Sequence, residues 1–240
     1  LREDLQSRNI DVLRFMYSDV LGIARSKDML VSQLDKSAHS GPAFCQGVWV
    51  TTTQGGVLDA NNIASDGLQD LISQIDPSTI RELPWEPGVA YVLVDAYNPD
   101  MSENMMSPRM VLRKVIAEYN ALGLQPVCGP ELEFYIADRT EDGGYKRSLE
   151  RTGRVYTSGT LVDPNGTFLH LLRMLDRLEI GVFAGNHEFS PSQYEINLWH
   201  SEALDAADRT FIFKTAIKEV VARAGQHLSL IHISEPTRRS

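Results

Sequence analysis

Hydrophobic and polar positions alternate along several short stretches of this chain, and in other stretches they repeat at helical spacing. Residues 12–19 and 23–27 alternate like two strands joined by a turn at Leu21-Gly22. Residues 88–95 form a continuous apolar, β-branched run, which predicts a buried strand. Residues 1–10 resemble the end of a helix. The first region is therefore predicted to be built mainly from strands.

Three further stretches of the first region predict irregular structure. Residues 41–66 are rich in Gly, Thr, Gln and Asn, which predicts a long loop, and residues 75–79 predict a turn. Asn, Pro, Asp and Ser cluster at residues 97–106. We expect the boundary between two domains in this last stretch.

Three helices are predicted after that boundary. The first begins at Ser107-Pro108 and ends at Gly123, and the others cover about residues 168–179 and 202–224. Helical spacing places Leu112, Val115, Ile116 and Tyr119 on one face of the first helix. Strands and helices mix without a regular βαβ order, which predicts an α+β fold with antiparallel strands.

A predicted strand of the second region carries two acids on one face. Glu131 and Glu133 point the same way because successive strand side chains alternate, and Leu132 and Phe134 point the other way. Alternating acids are common on exposed strands, but the apolar neighbours indicate an interior strand, where unpaired acids are costly. Carboxylates about 6–7 Å apart repel each other, and a hard divalent cation with oxygen ligands would relieve that repulsion.

A second acidic segment repeats this pattern. Gln193 and Glu195 alternate on a predicted strand, and Glu188 lies just upstream. We predict that these two glutamates share one metal centre with the pair of the preceding strand. His187 fits a metal ligand, a nucleotide contact or a hydrogen-bonded core histidine. His187 and Gln193 are candidate contacts to nucleotide or substrate.

Composition limits the classes of function. The chain of 240 residues is 42% hydrophobic, with a formal net charge of −9 and a pI near 5.1. The acidic balance argues against nucleic acid or a membrane surface as partner, and no apolar run reaches the length of a membrane span. Cys45 and Cys128 provide no disulfide framework, which favours a reducing cytosol.

The last residues differ in character from the rest of the chain. Residues 228–238 read as the conceptual translation of a sequencing adapter, and they follow a helix that ends at Gly225. We expect residues 228–240 to be such an artefact, the alternative being a genuine C-terminal strand and polar tail. The chain also begins at Leu1, so we expect a fragment cut at both ends.

Together, these segments resemble the glutamine synthetase family. Residues 129–135 are similar to its Glu-x-Glu-Phe strand, and residues 188–198 to its Glu-Tyr-x-Pro-Gly-Gln-x-Glu-Ile segment. The resemblance covers about residues 11–227. Further similar landmarks occur in the same order: Asp76–Thr79, Leu83–Trp85, Ser107–Arg109 and Ala206–Lys214.

The resemblance implies a β-grasp domain at residues 1–100 and the front part of an antiparallel-sheet catalytic domain at residues 101–227. It implies ATP and two divalent ions, Mg²⁺ or Mn²⁺, with Glu133, Glu188 and Glu195 on one ion and Glu131 contributing to the other. In the family reaction, the γ-carboxylate of glutamate attacks the γ-phosphate of ATP, and ammonia or an amine then displaces phosphate. The intact parent is expected to be a cytoplasmic homo-oligomer of stacked rings, dodecamer-like, and the fragment to be inactive.

One departure bears on the amine. Ammonium-using members have a Phe-Asp-Gly-Ser-Ser loop, whereas the nearest match here, Phe44–Val48, has no aspartate. This favours a larger amine, as in the γ-glutamylpolyamine branch. Two alternatives remain: a non-catalytic family scaffold, whose expected mark is loss of the metal acids, and an unrelated two-metal phosphohydrolase, disfavoured because no Asp/His ligand cluster occurs.

Overall fold

The computed structural model describes residues 1–34, 41–60, 67–149 and 154–230. The chain divides into two compact units, Leu1–Pro126 and Val127–Ser240. Both units combine helices with largely antiparallel sheets, as the sequence predicts. Among the described residues, no helix combines the length and the apolar character that crossing a membrane requires.

The first unit is built on a sheet with the strand order β2-β1-β5-β4-β3. All its neighbouring strands are antiparallel except β1 and β5, which run parallel. One face of this sheet contributes Leu13, Phe15 and Val92 to a buried core. The elements are α1 (Arg2–Ser7), β1 (Val12–Ser18), β2 (Ala24–Leu30), β3 (Phe44–Cys45), β4 (Asp70–Glu82), β5 (Val89–Tyr97) and α2 (Pro108–Ala121).

The predicted β1–β2 hairpin is confirmed, and a buried aspartate explains its turn. Asp19 is 1% exposed, and its Oδ1 accepts hydrogen bonds from the backbone N–H groups of Leu21 and Ile23 at 2.9 Å. Its other oxygen accepts from Arg25 at 2.8 Å. Asp19 therefore replaces backbone hydrogen bonds that the turn cannot make, as aspartates commonly do at turns.

Two of the irregular stretches differ from the prediction. The expected loop at residues 41–66 contains β3 and a 3₁₀ turn at Gln46–Val50, and residues 61–66 lie outside the described part. The expected turn at residues 75–79 lies inside β4, whose pairing register with β5 shifts between Asp76 and Arg81. There Thr79 Oγ1 accepts from the backbone N–H of Leu93, so a side chain replaces part of the strand ladder.

The predicted helix α2 is confirmed, and arginines attach it to the sheet. Val115 and Tyr119, on the face that helical spacing identifies, are 41% and 44% exposed, whereas Met110 is buried. Arg109 and Arg113 attach the helix by ion pairs to aspartates of β4 and β5. The first compact unit therefore includes α2, while the predicted boundary near residue 100 precedes it.

The second unit is built on a sheet with the order β12-β7-β10-β9, and β8 also pairs with β7. The short strands β6 and β11 form a separate pair. Every strand pair in this unit is antiparallel. The elements are β6 (Val127–Cys128), β7 (Glu131–Arg139), β8 (Tyr145–Arg147), α3 (Thr167–Arg177), β9 (Val182–His187), β10 (Gln193–Leu198), β11 (Ser201–Glu202), α4 (Ala203–Arg223) and β12 (Gln226–Ser229).

The alternation predicted for β7 is present. Leu132, Phe134 and Ile136 are buried on one face of the strand. Phe134 lies near Tyr194 of β10 and Phe213 of α4, with ring centroids 6.1 and 6.4 Å away. This apolar face binds the sheet to the helices and leaves the opposite face to polar side chains.

The structure continues across the expected artefact boundary at residue 228. Leu228 and Ser229 belong to β12 and pair with Ile136 and Tyr135 of β7, and Leu228 is 6% exposed. The strand forms because its alternating pattern extends the free edge of β7. Residues 231–240 lie outside the described part, so the foreign origin of residues 228–240 stays a prediction.

Candidate metal centre

Three neighbouring strands of the second unit bring the predicted acids to one face. Glu195 of β10 lies directly opposite Glu133 of β7 and also opposite Asn186 of β9. Side chains directly opposite each other in antiparallel strands have Cβ atoms about 4.5–5.5 Å apart. The alternation that buries the apolar residues therefore places these polar side chains side by side.

Glu133, Glu188 and Glu195 converge on one point. One carboxylate oxygen from each lies within 4.8 Å of the others. Glu188 is only 8% exposed, which is rare for a glutamate without a charged partner. This set of three hard oxygen ligands fits a divalent cation such as Mg²⁺ or Mn²⁺.

The connection between β9 and β10 positions Glu188. Its backbone N–H donates to the Gln193 carbonyl at 2.8 Å, which closes a tight turn. Ser192 in this turn has φ +61° and is fully buried, and its Oγ accepts from the Leu149 backbone N–H at 3.0 Å. A serine in the left-handed region is sterically disfavoured, so the surrounding hydrogen bonds hold the turn in this conformation.

Glu131 is not brought into this cluster. It is exposed at the start of β7, opposite Asn197. It lies on the same face as Glu133, because the two residues are separated by one position. The predicted role of Glu131 at a second ion stays a prediction.

Each glutamate of the cluster accepts a hydrogen bond from a side-chain amide. The donor–acceptor distances are 2.8 to 2.9 Å, as in well-formed hydrogen bonds. The pairs are Gln193 with Glu133, Asn186 with Glu188, and Asn197 with Glu195. Gln193 thus lies at the predicted site, where it contacts a glutamate.

The electrostatics of the cluster indicate a shortage of positive charge. Burial raises the pKa of Glu195 above its usual value, the hydrogen bond from Asn197 opposes this, and the neighbouring carboxylates, Glu188 first, raise it further. The ion pairs found among the described residues lie elsewhere in the chain. A bound cation would supply the missing charge.

His187 points away from the acidic face. Its side chain is 1% exposed and packs edge-on against Tyr194, with ring centroids 5.3 Å apart. Its Nδ1 lies 3.1 Å from the Arg154 carbonyl oxygen, and burial is the main cause that lowers its pKa. This position agrees with a core histidine in which Nδ1 is hydrogen-bonded and Nε2 has no partner among the described residues, and the role of His187 at the site stays a prediction.

Sequence reasoning missed the roles of two asparagines and one arginine. Asn186 precedes Glu188 by two residues and Asn197 follows Glu195 by two, so strand alternation could have identified both as neighbours of the acids. Arg109 follows Ser107-Pro108 at the start of α2 and forms ion pairs with Asp76 and Asp95. No local sequence signal reveals that partnership, because the residues are far apart in the chain.

The geometry defines a protein with a cluster of three glutamates on an antiparallel sheet that could hold a cation, and comparison with known families identifies its class. The family model described as "Glutamine synthetase, catalytic domain" matches residues 105–233, more than half of the chain. The chain therefore belongs to the glutamine synthetase family. The resemblance recognised in the acidic motifs is confirmed.

Similar proteins include glutamine synthetases and another ligase. Glutamine synthetase from Methanosarcina mazei is 28% identical over 232 residues, covering 95% of this chain and 49% of that protein. Glutamate–isopropylamine ligase from Pseudomonas sp. is 27% identical over 234 residues, covering 94% and 51%. The chain thus spans about half the length of the curated relatives it matches.

Solved structures share the fold. An ADP complex of GmaS superposes with a TM-score of 0.79 at 22% identity, covering 95% of this chain and 50% of that one. Plasmodium falciparum glutamine synthetase gives a TM-score of 0.75 at 19% identity, covering 95% and 49%. At these identities the likeness establishes the fold alone.

Proposed function

We propose that the protein to which these residues belong is an ATP-dependent ligase that joins ammonia or an amine to the γ-carboxylate of glutamate. The observation that supports this most strongly is the convergence of Glu133, Glu188 and Glu195 inside the segment matched by the family model. The named relatives include both glutamine synthetases and a glutamate–amine ligase.

The proposed roles of the chain's residues are those that the family resemblance implies, and the cluster geometry supports three of them. Glu133, Glu188 and Glu195 would hold one Mg²⁺ or Mn²⁺, and Glu131 would contribute to a second ion. When bound, such ions neutralise charge on the ATP phosphates and help to align the transfer. The carboxylates would fix the position of these ions on the sheet, and the ions would in turn hold the phosphates.

The proposed reaction needs little covalent chemistry from the protein. The γ-carboxylate of glutamate attacks the γ-phosphorus of ATP, the bond to ADP breaks, and γ-glutamyl phosphate forms. The nitrogen of ammonia or an amine then attacks the γ-carbonyl carbon, phosphate leaves, and the nitrogen loses a proton. Phosphoryl transfer of this kind depends mainly on positioning and electrostatic stabilisation.

We further propose that residues 1–100 form a β-grasp domain and residues 101–227 the front part of the catalytic domain, within a cytoplasmic homo-oligomer of stacked rings. Because the chain spans about half of its relatives, the 240 residues alone are proposed to be inactive. For the acceptor we propose an organic amine, since Phe44–Val48 carries no carboxylate to hold an ammonium ion.

The direct test is ADP release by the complete gene product with glutamate, Mg²⁺ and one acceptor at a time. The acceptors are ammonium, putrescine, ethanolamine and isopropylamine. Release that depends on both glutamate and an amine supports the proposal. Strict dependence on ammonium would reject the larger amine, and absence of both release and Mn²⁺ binding would leave a non-catalytic scaffold.

A further inference from the structure

The acidic cluster is surrounded by neutral hydrogen-bond donors. The Nε2 atom of Gln193 donates to Glu133 at 2.8 Å, and its Oε1 accepts from the Ser190 backbone N–H at 3.2 Å. The glutamine side chain is 9% exposed. Held at both ends, Gln193 fixes one oxygen of Glu133.

Two asparagines repeat the arrangement on the neighbouring carboxylates. Asn186 Nδ2 donates to Glu188 Oε1 at 2.9 Å, and Asn197 Nδ2 donates to Glu195 Oε1 at 2.8 Å. Each asparagine lies two residues from its glutamate: Asn197 and Glu195 share one face of β10, and Glu188 directly follows the end of β9, which carries Asn186. All three carboxylates of the cluster therefore have one amide donor each.

A neutral donor has a different effect from a basic one. An arginine would orient a carboxylate and also cancel its charge, whereas an amide orients it and leaves the charge for a cation. The amide also occupies one of the two oxygens. This disfavours bidentate ligation, which Ca²⁺ commonly uses, and suits ions that prefer octahedral sites, such as Mg²⁺.

We propose that Asn186, Gln193 and Asn197 are positioning residues that hold the three glutamates for single-oxygen ligation and thereby select Mg²⁺ or Mn²⁺ over Ca²⁺. The inference rests on the proposed metal site. It assigns a supporting role to three amides that lie beside the three acidic residues.

The test measures Mn²⁺ and Ca²⁺ affinity of the complete gene product by isothermal titration. Near-isosteric variants remove one amide each: Asn186→Leu, Gln193→Met and Asn197→Leu. Loss of such supporting partners typically weakens metal binding about 10- to 100-fold. We expect that loss for Mn²⁺ and a smaller one for Ca²⁺, so that the ratio of the two affinities falls.

The matched control is Asn165→Leu. Asn165 Nδ2 lies 3.4 Å from Asp138 Oδ1 in an exposed pair of the same unit. This variant should keep both affinities. If a leucine or methionine variant fails to fold by circular dichroism, Asn186→Gln, Gln193→Asn and Asn197→Gln keep an amide with altered reach and should bind Mn²⁺ more weakly than the parent protein.

The outcomes separate the two proposals. Wild-type affinities and an unchanged Mn²⁺/Ca²⁺ ratio in all the amide variants would overturn the positioning role while the metal site stands. Equal losses for both ions would overturn the selection against Ca²⁺. No Mn²⁺ binding by the wild-type protein would overturn the proposed metal site, and this inference with it.

Discussion

Two clusters of carboxylates in this protein are built in opposite ways. In the first unit, Asp76 and Asp95 form ion pairs with Arg109 and Arg113, with nitrogen–oxygen distances of no more than 3.0 Å. In the second unit, the three clustered glutamates accept hydrogen bonds from neutral amides. The first cluster is complete in itself, whereas the second retains negative charge that a cation can neutralise.

The pKa shifts of one carboxyl group from each cluster agree with this contrast. For Asp76, burial acts to raise the pKa, but hydrogen bonds from Ser78 and then Arg109 outweigh it, and the pKa is lowered. For Glu195, burial and neighbouring carboxylates prevail, and the pKa is raised. Compensated acids stabilise a fold, and uncompensated acids at one point indicate a binding site.

The largest expected effect concerns the ion. Glu188→Gln removes one charged ligand from a nearly buried position, so Mn²⁺ affinity of the complete gene product should fall by more than about 100-fold, beyond the loss typical of a supporting partner. Isothermal titration measures it. Glu141→Gln changes an exposed acid of the same unit and should leave the affinity unchanged. Equal affinities in both variants would place the ion elsewhere.

The first cluster should respond through stability. Arg109→Met leaves its two aspartates to Arg113 alone, and removing one partner of a buried ion pair costs about 3 kcal/mol. Urea denaturation measures this loss. Arg8→Met, which breaks an exposed pair with Glu82, should cost no more than about 1 kcal/mol. A cost for Arg109→Met as small as that of the control would contradict the structural role.

Without metal, the second cluster should be strained by its own charge. Glu195→Gln removes one repelling carboxylate and should raise the free energy of unfolding at neutral pH on the order of 1 kcal/mol, the energy of two charges about 4 Å apart in water. The measurement is chemical denaturation in EDTA. Destabilisation by this variant would show that the carboxylates do not repel.

The smallest effect is on the pH dependence of metal-free stability. Asp76, with a lowered folded pKa, stabilises above about pH 4 and loses that contribution as pH falls through its folded pKa. Glu195, with a raised folded pKa, costs stability as pH rises through that value. Denaturation from pH 3 to 8 should show Asp76→Asn flattening the acid side of the profile and Glu195→Gln reducing the loss on raising pH. If Glu195→Gln flattened the acid side and Asp76→Asn reduced the loss on raising pH, the contrast between the two clusters would be refuted.

Sequence patterns predicted one cluster and not the other, for a physical reason. Strand alternation places Glu133 and Glu195 on polar faces, and this periodicity is local and visible in the sequence. The convergence of the two depends on strand register, which the sequence alone does not specify. Asp76 and Arg109 meet only through tertiary packing between a strand bulge and a helix, so their pairing left no local signal.

The same distinction explains what the sequence left open in the fold. Helical spacing identified one face of α2, yet Tyr119 on that face is 44% exposed and the helix is held by its arginines. Periodicity reports an amphipathic helix and does not identify what covers it. The turn predicted at residues 75–79 is a bulge within β4, because β4 pairs with β5 both before and after the register shift.

The most direct test of the account is anomalous diffraction from crystals of the complete gene product grown with Mn²⁺. We predict a manganese peak bonded to one oxygen each of Glu133, Glu188 and Glu195, with the three amides hydrogen-bonded to the other oxygens. Manganese bound at another place, or well-ordered carboxylates in saturating Mn²⁺ with no peak between them, would contradict it.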